Sequence, residues 1–400
     1  MNKKKISIIL IFFIAILSTF VFVKNNSNVE ITNEVNNKSK KNNDLLTMNL
    51  EQTAGAGDYK TVTQSEWPTE GYEFNKELSK CENGSEISWD DTKKVVVVSG
   101  NLSDKCYVYF DIARFDKLCN TSTLACHVAK LYTGTQGENG IYYHNASLTN
   151  GAGDNNYRYA GANPNNYICL GSDATTCPDD NLFRIIGVFG DKVKVIRDKS
   201  VVKMHWDTSN YNTWSISSLN TYLNGTYLTS IGTLSDKIDM ATWKVGGNTW
   251  DNISVSTAKE VYDYEIKNPS TTASTGETEY SAKIGLMYVS DYMFAVLQDN
   301  WTLVAYNSND ATKDYRAVKT ENWLYLGSDE YTITRSSKYS GDVFAIYSSG
   351  EVYSYSVSCG SGEPLPCSVY AKYARPSFYL ISSVEYSGGT GTSSDPIRIN

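Results

Sequence analysis

The sequence predicts an α+β fold with an N-terminal membrane helix, a small disulfide-stapled β module and a C-terminal α+β domain. Three patterns carry this prediction: a long uncharged run near the start, hairpin patterns, and short helical patterns between the hairpins. The clearest hairpin pairs residues 182–189 with residues 193–197 across Gly190-Asp191-Lys192. A second hairpin is predicted over residues 343–357. Helices are predicted at residues 120–132, 215–223, 255–266 and 293–297.

The uncharged run covers residues 6–23 and follows three lysines. As a helix it would reach roughly 27 Å, close to the ~30 Å hydrocarbon core of a bilayer. Lysines in front of such a run stay on the cytoplasmic side, so the rest of the chain is expected outside the cell. The run lacks an Ala-x-Ala site, a lipoprotein cysteine and a prepilin Gly-Phe step. We therefore predict an uncleaved signal anchor over residues 1–24 and a single-pass membrane protein, with a long cleaved leader and a released product as the alternative.

Eight cysteines in an exported chain predict four structural disulfides. The absence of a Cys-x-x-Cys motif argues against a zinc ribbon or a thioredoxin-type centre. Pairing of sequence neighbours is an interpretation, and free thiols remain the alternative. The second pair would be too far apart inside one helix, so its first cysteine must precede the helix. The predicted pairs are Cys81–Cys106, Cys119–Cys126, Cys169–Cys177 and Cys359–Cys367.

Composition argues against nucleic-acid binding and allows two interpretations of the high tyrosine content. The chain has 44 acidic and 36 basic side chains, a net charge of −8, which is not the basic footprint of a nucleic-acid-binding protein. It also has 30 tyrosines and 28 glycines. Tyrosine mixed with Ser, Gly and Asn is typical of recognition surfaces. The simpler interpretation is that tyrosine serves in β-strands, where it is common.

Changes in composition divide the chain into five segments. After the anchor comes a polar, asparagine-rich tract that cannot bury enough apolar surface to fold alone. The β module then contains strand patterns at residues 86–89, 94–98 and 106–110. Its small core is expected to need the first disulfide. The predicted segments are anchor 1–24, flexible stalk 25–58, β module 59–115, helix and connector 116–156, and α+β domain 157–400.

Four motifs carry a resemblance to a known family. They are YRYAGANPNNY at residues 157–167, LFRIIGVF at 182–189, IGLMYVSDY at 284–292 and ARPSFYL at 374–380. Together they resemble a family of uncharacterised exported surface proteins of gut Gram-positive bacteria. The C-terminal half is also distantly similar to C-type-lectin-like and formylglycine-generating-enzyme-like folds. The resemblance implies architecture more than activity, and the chain lacks the prepilin leader that is common in the family.

No pattern of residues predicts a catalytic, cofactor-binding or metal site. The three histidines show no metal-binding spacing, and neither a nucleophile elbow nor a phosphate-binding loop occurs. Calcium is retained only as an alternative to a solvated acidic loop around Asp173, Asp179 and Asp180. Arg375, held extended by Pro376, is expected to brace a carboxylate at the edge of the core.

These observations predict a non-enzymatic surface protein for recognition or adhesion. The expected ligand is an extracellular glycan or protein, bound by Tyr-, Gly- and Asn-rich loops at residues 302–309 and 331–339. The alternatives are a cell-envelope enzyme on a formylglycine-enzyme-like scaffold and a passive structural module of a surface fibre. Membrane attachment through residues 6–23 is expected, with a released form as the alternative if the leader is cleaved.

Overall fold

The structure is a computed structural model, and its chain divides into two compact units, residues 1–113 and residues 114–400. The predicted anchor, residues 6–23, and the predicted Cys359–Cys367 pair lie outside the described residues. The described residues are 29–32, 45–63, 66–68, 70–101, 103–248, 250–269, 277–357 and 371–400.

The first unit contains two sheets. In the larger sheet the strand order is β3-β2-β8-β4, with β5 also paired to β8, and β2 runs parallel to β8. In the smaller sheet the order is β1-β7-β6, with β1 parallel to β7. The strands are β1 (Val29–Thr32), β2 (Leu46–Glu51), β3 (Tyr59–Val62), β4 (Tyr72–Phe74), β5 (Lys80–Cys81), β6 (Glu86–Asp90), β7 (Val95–Ser99) and β8 (Cys106–Ile112).

The core of the first unit corrects the predicted stalk at residues 25–58. Met48 and Leu50 of β2 are buried and lie opposite Val108 and Phe110 of β8 in the register of the two strands. Apolar residues at every second position place one face of each strand in this core. The polar composition of the tract hid this alternation. Residues 46–51 therefore belong to the β module and not to a stalk.

The second unit is built on two six-stranded sheets. The first has the order β22-β13-β12-β10-β9, with β11 also paired to β12, and all of its pairs are antiparallel. Its strands are β9 (Ile141–Tyr143), β10 (Tyr157–Tyr159), β11 (Tyr167–Cys169), β12 (Leu182–Phe189), β13 (Lys192–Arg197) and β22 (Ser377–Tyr379).

The second sheet of this unit has the order β14-β21-β18-β19-β20, with β16 added in parallel to β18. Two further ribbons, β15 with β17 and β23 with β24, complete the described strands. The remaining bounds are β14 (Val202–Met204), β15 (Ala241–Lys244), β16 (Gly247–Asn248), β17 (Glu279–Ala282), β18 (Glu330–Ser336), β19 (Asp342–Ile346), β20 (Val352–Ser356), β21 (Lys372–Ala374), β23 (Tyr386–Gly388) and β24 (Arg398–Ile399).

The helices of the second unit are short. Two of them continue into π-helical turns, at Leu223–Tyr227 and Asp263–Lys267. The predicted helix at 293–297 starts earlier, at Val289, because Asp291 accepts the Tyr288 N–H and caps the first turn. The α-helices are α1 (Phe115–Leu118), α2 (Leu124–Ala129), α3 (Ser218–Tyr222), α4 (Leu228–Ser230), α5 (Trp250–Val255), α6 (Ala258–Tyr262) and α7 (Val289–Phe294).

The predicted α+β fold class is wrong. Strands make up 31% and helices 20% of the structure, so the fold is dominated by β-structure. Each described α-helix has only three to six residues.

The predicted single-pass membrane localisation is also contradicted. Across the described ranges, none of the helices has the length and apolar character needed to cross a bilayer. The prediction rested on the hydropathy of residues 6–23, and hydropathy by itself does not establish a helix.

Candidate functional site

The predicted contact loop at residues 302–309 lies partly exposed at the surface. Its Tyr306 ring meets the edge of Tyr353 from β20 at a centroid distance of 5.1 Å. The guanidinium of Arg316 lies 5.0 Å from the centre of the same ring. These contacts form a small aromatic surface, with Tyr353 36% exposed.

The second predicted contact loop, residues 331–339, is mostly not a loop. Its first six residues belong to β18, and every residue of that strand is buried. Thr332 and Thr334 satisfy their hydroxyls inside the core, with Phe344 and Glu265 as partners. The alternation of threonine with larger residues is a strand pattern, and composition alone concealed it. Only the turn that follows is exposed.

A concave pocket of about 480 Å³ lies elsewhere on the second unit. Four segments form it: the turn after the helix α2, the turn before β9, the loop from β10 to β11, and the turn after β23. Its volume falls in the range of small-molecule sites in proteins. The lining residues are Leu131, Asn139, Gly140, Ala160, Gly161, Ala162, Asn163, Pro164, Asn165 and Thr390.

Two glycines allow the pocket segments to approach each other. Gly140 has a φ of 71°, and a Cβ placed there would lie 2.9 Å from the Cβ of Pro164. Gly391 has a φ of 80°, and a Cβ there would overlap the carbonyl oxygen of Asn165. Both positions need the left-handed backbone and the absence of a side chain. The pocket shape therefore depends directly on these two residues.

Arg184 of β12 holds the pocket loop from behind. Its Nε donates to Asn166 Oδ1 at 2.8 Å and its terminal nitrogen donates to the Pro164 carbonyl at 3.3 Å. The guanidinium is buried between the rings of Tyr167 and Trp323, 4.1 and 4.8 Å from their centres. Burial lowers the pKa of Arg184 to about 10, so it stays charged at neutral pH. A charged donor with fixed geometry thus rigidifies the loop.

The other hydrogen bonds of the pocket loop also join it to neighbouring elements of the second unit. Gly161 donates its N–H to the Ala295 carbonyl just after α7, at 2.9 Å. The Gly161 carbonyl accepts from the Trp323 N–H at 3.2 Å, and the Trp323 ring nitrogen donates to the Tyr159 carbonyl at 3.0 Å. The loop is therefore preformed, a property that lowers the entropic cost of binding.

The pocket lining carries no ionisable side chain. Asn139, Asn163 and Asn165 are exposed there, together with the hydroxyl of Thr390. An amide offers one acceptor and two donors, and a hydroxyl both donates and accepts. This set matches a neutral ligand rich in hydroxyl groups and gives no ionic attraction to a charged one.

The described part of the chain contains three disulfides, which join Cys81 to Cys106, Cys119 to Cys126, and Cys169 to Cys177. Cys119 follows the last residue of α1, whereas Cys126 lies in α2, and their Cα atoms are 5.7 Å apart. The first cysteine thus precedes the second helix, the arrangement that pairing requires. Every cysteine in the described part of the chain is disulfide-bonded.

The histidines do not come together as a site. His144 is fully buried, and its Nδ1 accepts the Ala152 N–H at 3.1 Å. The nearby Asp154 is bound by both terminal nitrogens of Arg158, so no free acid partner faces the imidazole. His127 stacks on the ring of Tyr386 at 3.5 Å.

Two of the three aspartates that could bind calcium are paired with cations of the protein. Asp179 pairs with Lys199 and Asp180 pairs with Arg197, each at 2.5 Å. Asp173 lies apart, on a second pocket of about 570 Å³. Among the described residues no group of three histidine, cysteine or acidic side chains is arranged to hold a metal ion.

No protein-family model, no curated protein and no solved structure matches this chain. Its function must therefore be argued from the geometry of its own residues.

The pocket residues were missed at the level of sequence, although a signal for them exists. The glycine- and asparagine-rich passage from residue 134 to 166 contains nearly the whole lining. It is typical of a connector, and only the fold brings residue 390 to it. A buried arginine behind a Gly-Ala-Asn-Pro-Asn loop has no signature of its own in the sequence.

Proposed function

We propose that this protein is an exported, non-enzymatic recognition module that binds a neutral glycan in the pocket around Asn163. The single observation behind the proposal is the concave, preformed lining of exposed amides and a hydroxyl without an ionisable group. Sugar hydroxyls are both donors and acceptors, and asparagine amides match them in both roles. The three disulfides support an extracellular setting, where such bonds persist.

Rigidity supports the same proposal. Arg184 and the Ala295 carbonyl fix the pocket loop before any ligand arrives, so little conformational entropy is lost on binding. Apolar contacts from Leu131, Ala162 and Pro164 complement the amides and suit the C–H face of a sugar ring. Binding should not require a divalent cation, because the amides themselves supply the polar contacts.

The test is glycan-array binding by the full chain, followed by titration of the best ligand. Ala162→Trp fills the pocket without removing a polar contact, and binding should be lost. Asn165→Ala should weaken binding about tenfold, the equivalent of about 1.4 kcal/mol for one lost hydrogen bond. EDTA should leave the affinity unchanged.

Asn309→Ala is the matched control. It removes another exposed amide, in the loop at residues 302–309, and should leave the affinity unchanged. Loss of binding in Asn309→Ala with full binding in Ala162→Trp would move the site to that loop. Binding to a protein ligand alone, with no glycan retained, would refute the glycan assignment.

A further inference from the structure

A buried lysine and a buried aspartate face each other in the core of the second unit. Lys194 lies on β13, between β12 and β22, and its side chain is 1% exposed. Its Nζ lies 2.5 Å from Oδ2 of Asp291, whose side chain is 5% exposed. Lysine is almost never fully buried, and an ion pair at such a site must overcome the desolvation of two charges.

Aromatic rings surround the lysine nitrogen on several sides. The nearest is Tyr288, with its ring centre 4.4 Å from Nζ. This enclosure excludes water and gives the pair a medium of low polarity. The other three rings are Trp243 at 5.5 Å, Tyr379 at 5.6 Å and Phe189 at 5.7 Å.

A second buried carboxyl group, Glu265, lies next to this pair. Its Oε1 accepts the N–H of Ser290, the residue before Asp291, at 2.6 Å, and its Oε2 accepts the Thr334 hydroxyl at 2.5 Å. Burial raises the pKa of Glu265 to about 7, so it can both take and release a proton at neutral pH. Burial also lowers the pKa of Lys194, although the attraction of Asp291 opposes this shift. The lowered pKa favours the neutral amine.

We propose that Lys194 and Asp291 are joined by an intramolecular amide bond that forms without an enzyme once the chain has folded. The step forms the bond from Nζ to Cγ and breaks one bond from Cγ to oxygen. The amine loses one hydrogen, the carboxyl group loses a hydroxyl, and one water molecule leaves. No oxidant, reductant or other reactant is required.

Two groups of the chain assist the step. The Tyr288 N–H donates to Asp291 Oδ2 at 2.8 Å, so it is in place to stabilise the negative charge that develops on this oxygen during attack. Glu265 takes the proton that the amine loses and delivers it to the departing oxygen. Glu265 is held against Ser290, the residue before Asp291, and it interacts electrostatically with both Lys194 and Asp291. The product replaces a buried ion pair by a neutral amide, which costs less to desolvate.

A neighbouring lysine shows how burial distinguishes the Lys194 pair from an exposed ion pair. Lys192 lies on the same strand, two residues away, and pairs with Asp239 at 2.6 Å. Its side chain is 38% exposed, so water stabilises the charged ammonium and the pair is expected to stay ionic. A short distance between the amine and the carboxylate is therefore not sufficient for the reaction. The pair must also be buried and lie near a proton acceptor.

The test is peptide mapping of the full chain after denaturation, reduction and digestion with trypsin. We expect no cleavage after Lys194 and one branched peptide that joins the segments around Lys194 and Asp291 and is one water molecule lighter than their sum. In Glu265→Gln the branched peptide should fall at least tenfold in yield, and Lys194→Arg should abolish it. Lys192→Arg should retain it.

The wild-type digest decides the proposal by itself, even if a variant fails to fold. Cleavage after Lys194 together with an unmodified Asp291 peptide, from protein with native near-ultraviolet circular dichroism, would overturn it. A branched peptide at full yield in folded Glu265→Gln would remove Glu265 from the mechanism. Binding in the pocket is measured separately, so either proposal can fail without the other.

Discussion

The buried pair between Arg375 and Glu330 gives the sharpest prediction for stability. Arg375 is 1% exposed, its Nε donates to Glu330 Oε1 at 2.5 Å, and its terminal nitrogen donates to the Leu324 carbonyl at 2.6 Å. Glu330 is also 1% exposed, and burial raises the pKa of its carboxyl group although Arg375 opposes the shift. The arginine of the Arg-Pro motif thus braces a carboxylate, but inside the core and not at its edge as the sequence predicts.

Removing one partner should be more harmful than removing both. In Glu330→Leu the Arg375 charge stays buried without its partner, and we expect a loss of about 3–5 kcal/mol in the free energy of unfolding. Arg375→Met should cost a similar amount, because Glu330 is then the uncompensated charge. In the double variant both charges are gone, and the main remaining cost is the unsatisfied Leu324 carbonyl, about 1–3 kcal/mol.

The assay is a double-mutant cycle measured by urea unfolding at neutral pH with the disulfides intact. Tryptophan fluorescence reports on the second unit, where Trp206, Trp214, Trp243, Trp301 and Trp323 are buried. The double variant should be more stable than either single variant. If its loss instead equals the sum of the two single losses, the two side chains are not coupled and the reasoning fails.

Two further predictions follow from the packing of a glycine and from a buried histidine. Gly187→Ala should lower the free energy of unfolding by about 3 kcal/mol, because the new Cβ would overlap the Tyr157 carbonyl oxygen of the paired strand. Gly225 has open space around it, so Gly225→Ala should be neutral or slightly stabilising in thermal unfolding. Equal effects of the two would contradict the packing argument. Burial depresses the pKa of His144 well below 6.5. As the pH drops below 6.5, the histidine therefore takes up a proton in the unfolded chain before it does so in the folded protein. The free energy of unfolding should then fall by about 1.4 kcal/mol per pH unit. His144→Asn, whose amide oxygen can still accept the Ala152 N–H, should lose this slope, and an unchanged slope in urea unfolding would refute it.

Strands with long regular patterns could be read from the sequence. The prediction for residues 182–189 matches β12 at both ends, and the hairpin of β19 and β20 is found within one residue of its predicted start. These segments are rich in β-branched and aromatic residues and are joined by short turns, so local sequence suffices. In the apolar segment IGLMYV, residues 284–289, the strand pairing is limited to one isolated bridge, from Gly285 to Ser377.

Short and non-local elements could not be read in this way. Strands of two to four residues, such as β9, β10 and β16, are too brief to show a period, and distant partners define them. The pocket has the same origin, because Asn139, Asn163 and Thr390 are joined only by the fold. No local pattern predicts that Lys194 contacts Asp291, 97 residues away.

The helix α7 connects the proposed binding pocket with the proposed amide bond. Asp291 lies in α7, and the carbonyl of Ala295, just after that helix, holds Gly161 of the pocket loop. From the other side Arg184 holds the same loop, and its strand β12 is paired with β13, which carries Lys194. A bond from Lys194 to Asp291 would therefore fix both supports of the pocket relative to each other. Closing 97 residues of chain would also stabilise the fold by about 4–5 kcal/mol on a chain-entropy estimate. Loss of the bond should therefore lower thermal stability while the affinity of the preformed pocket changes little.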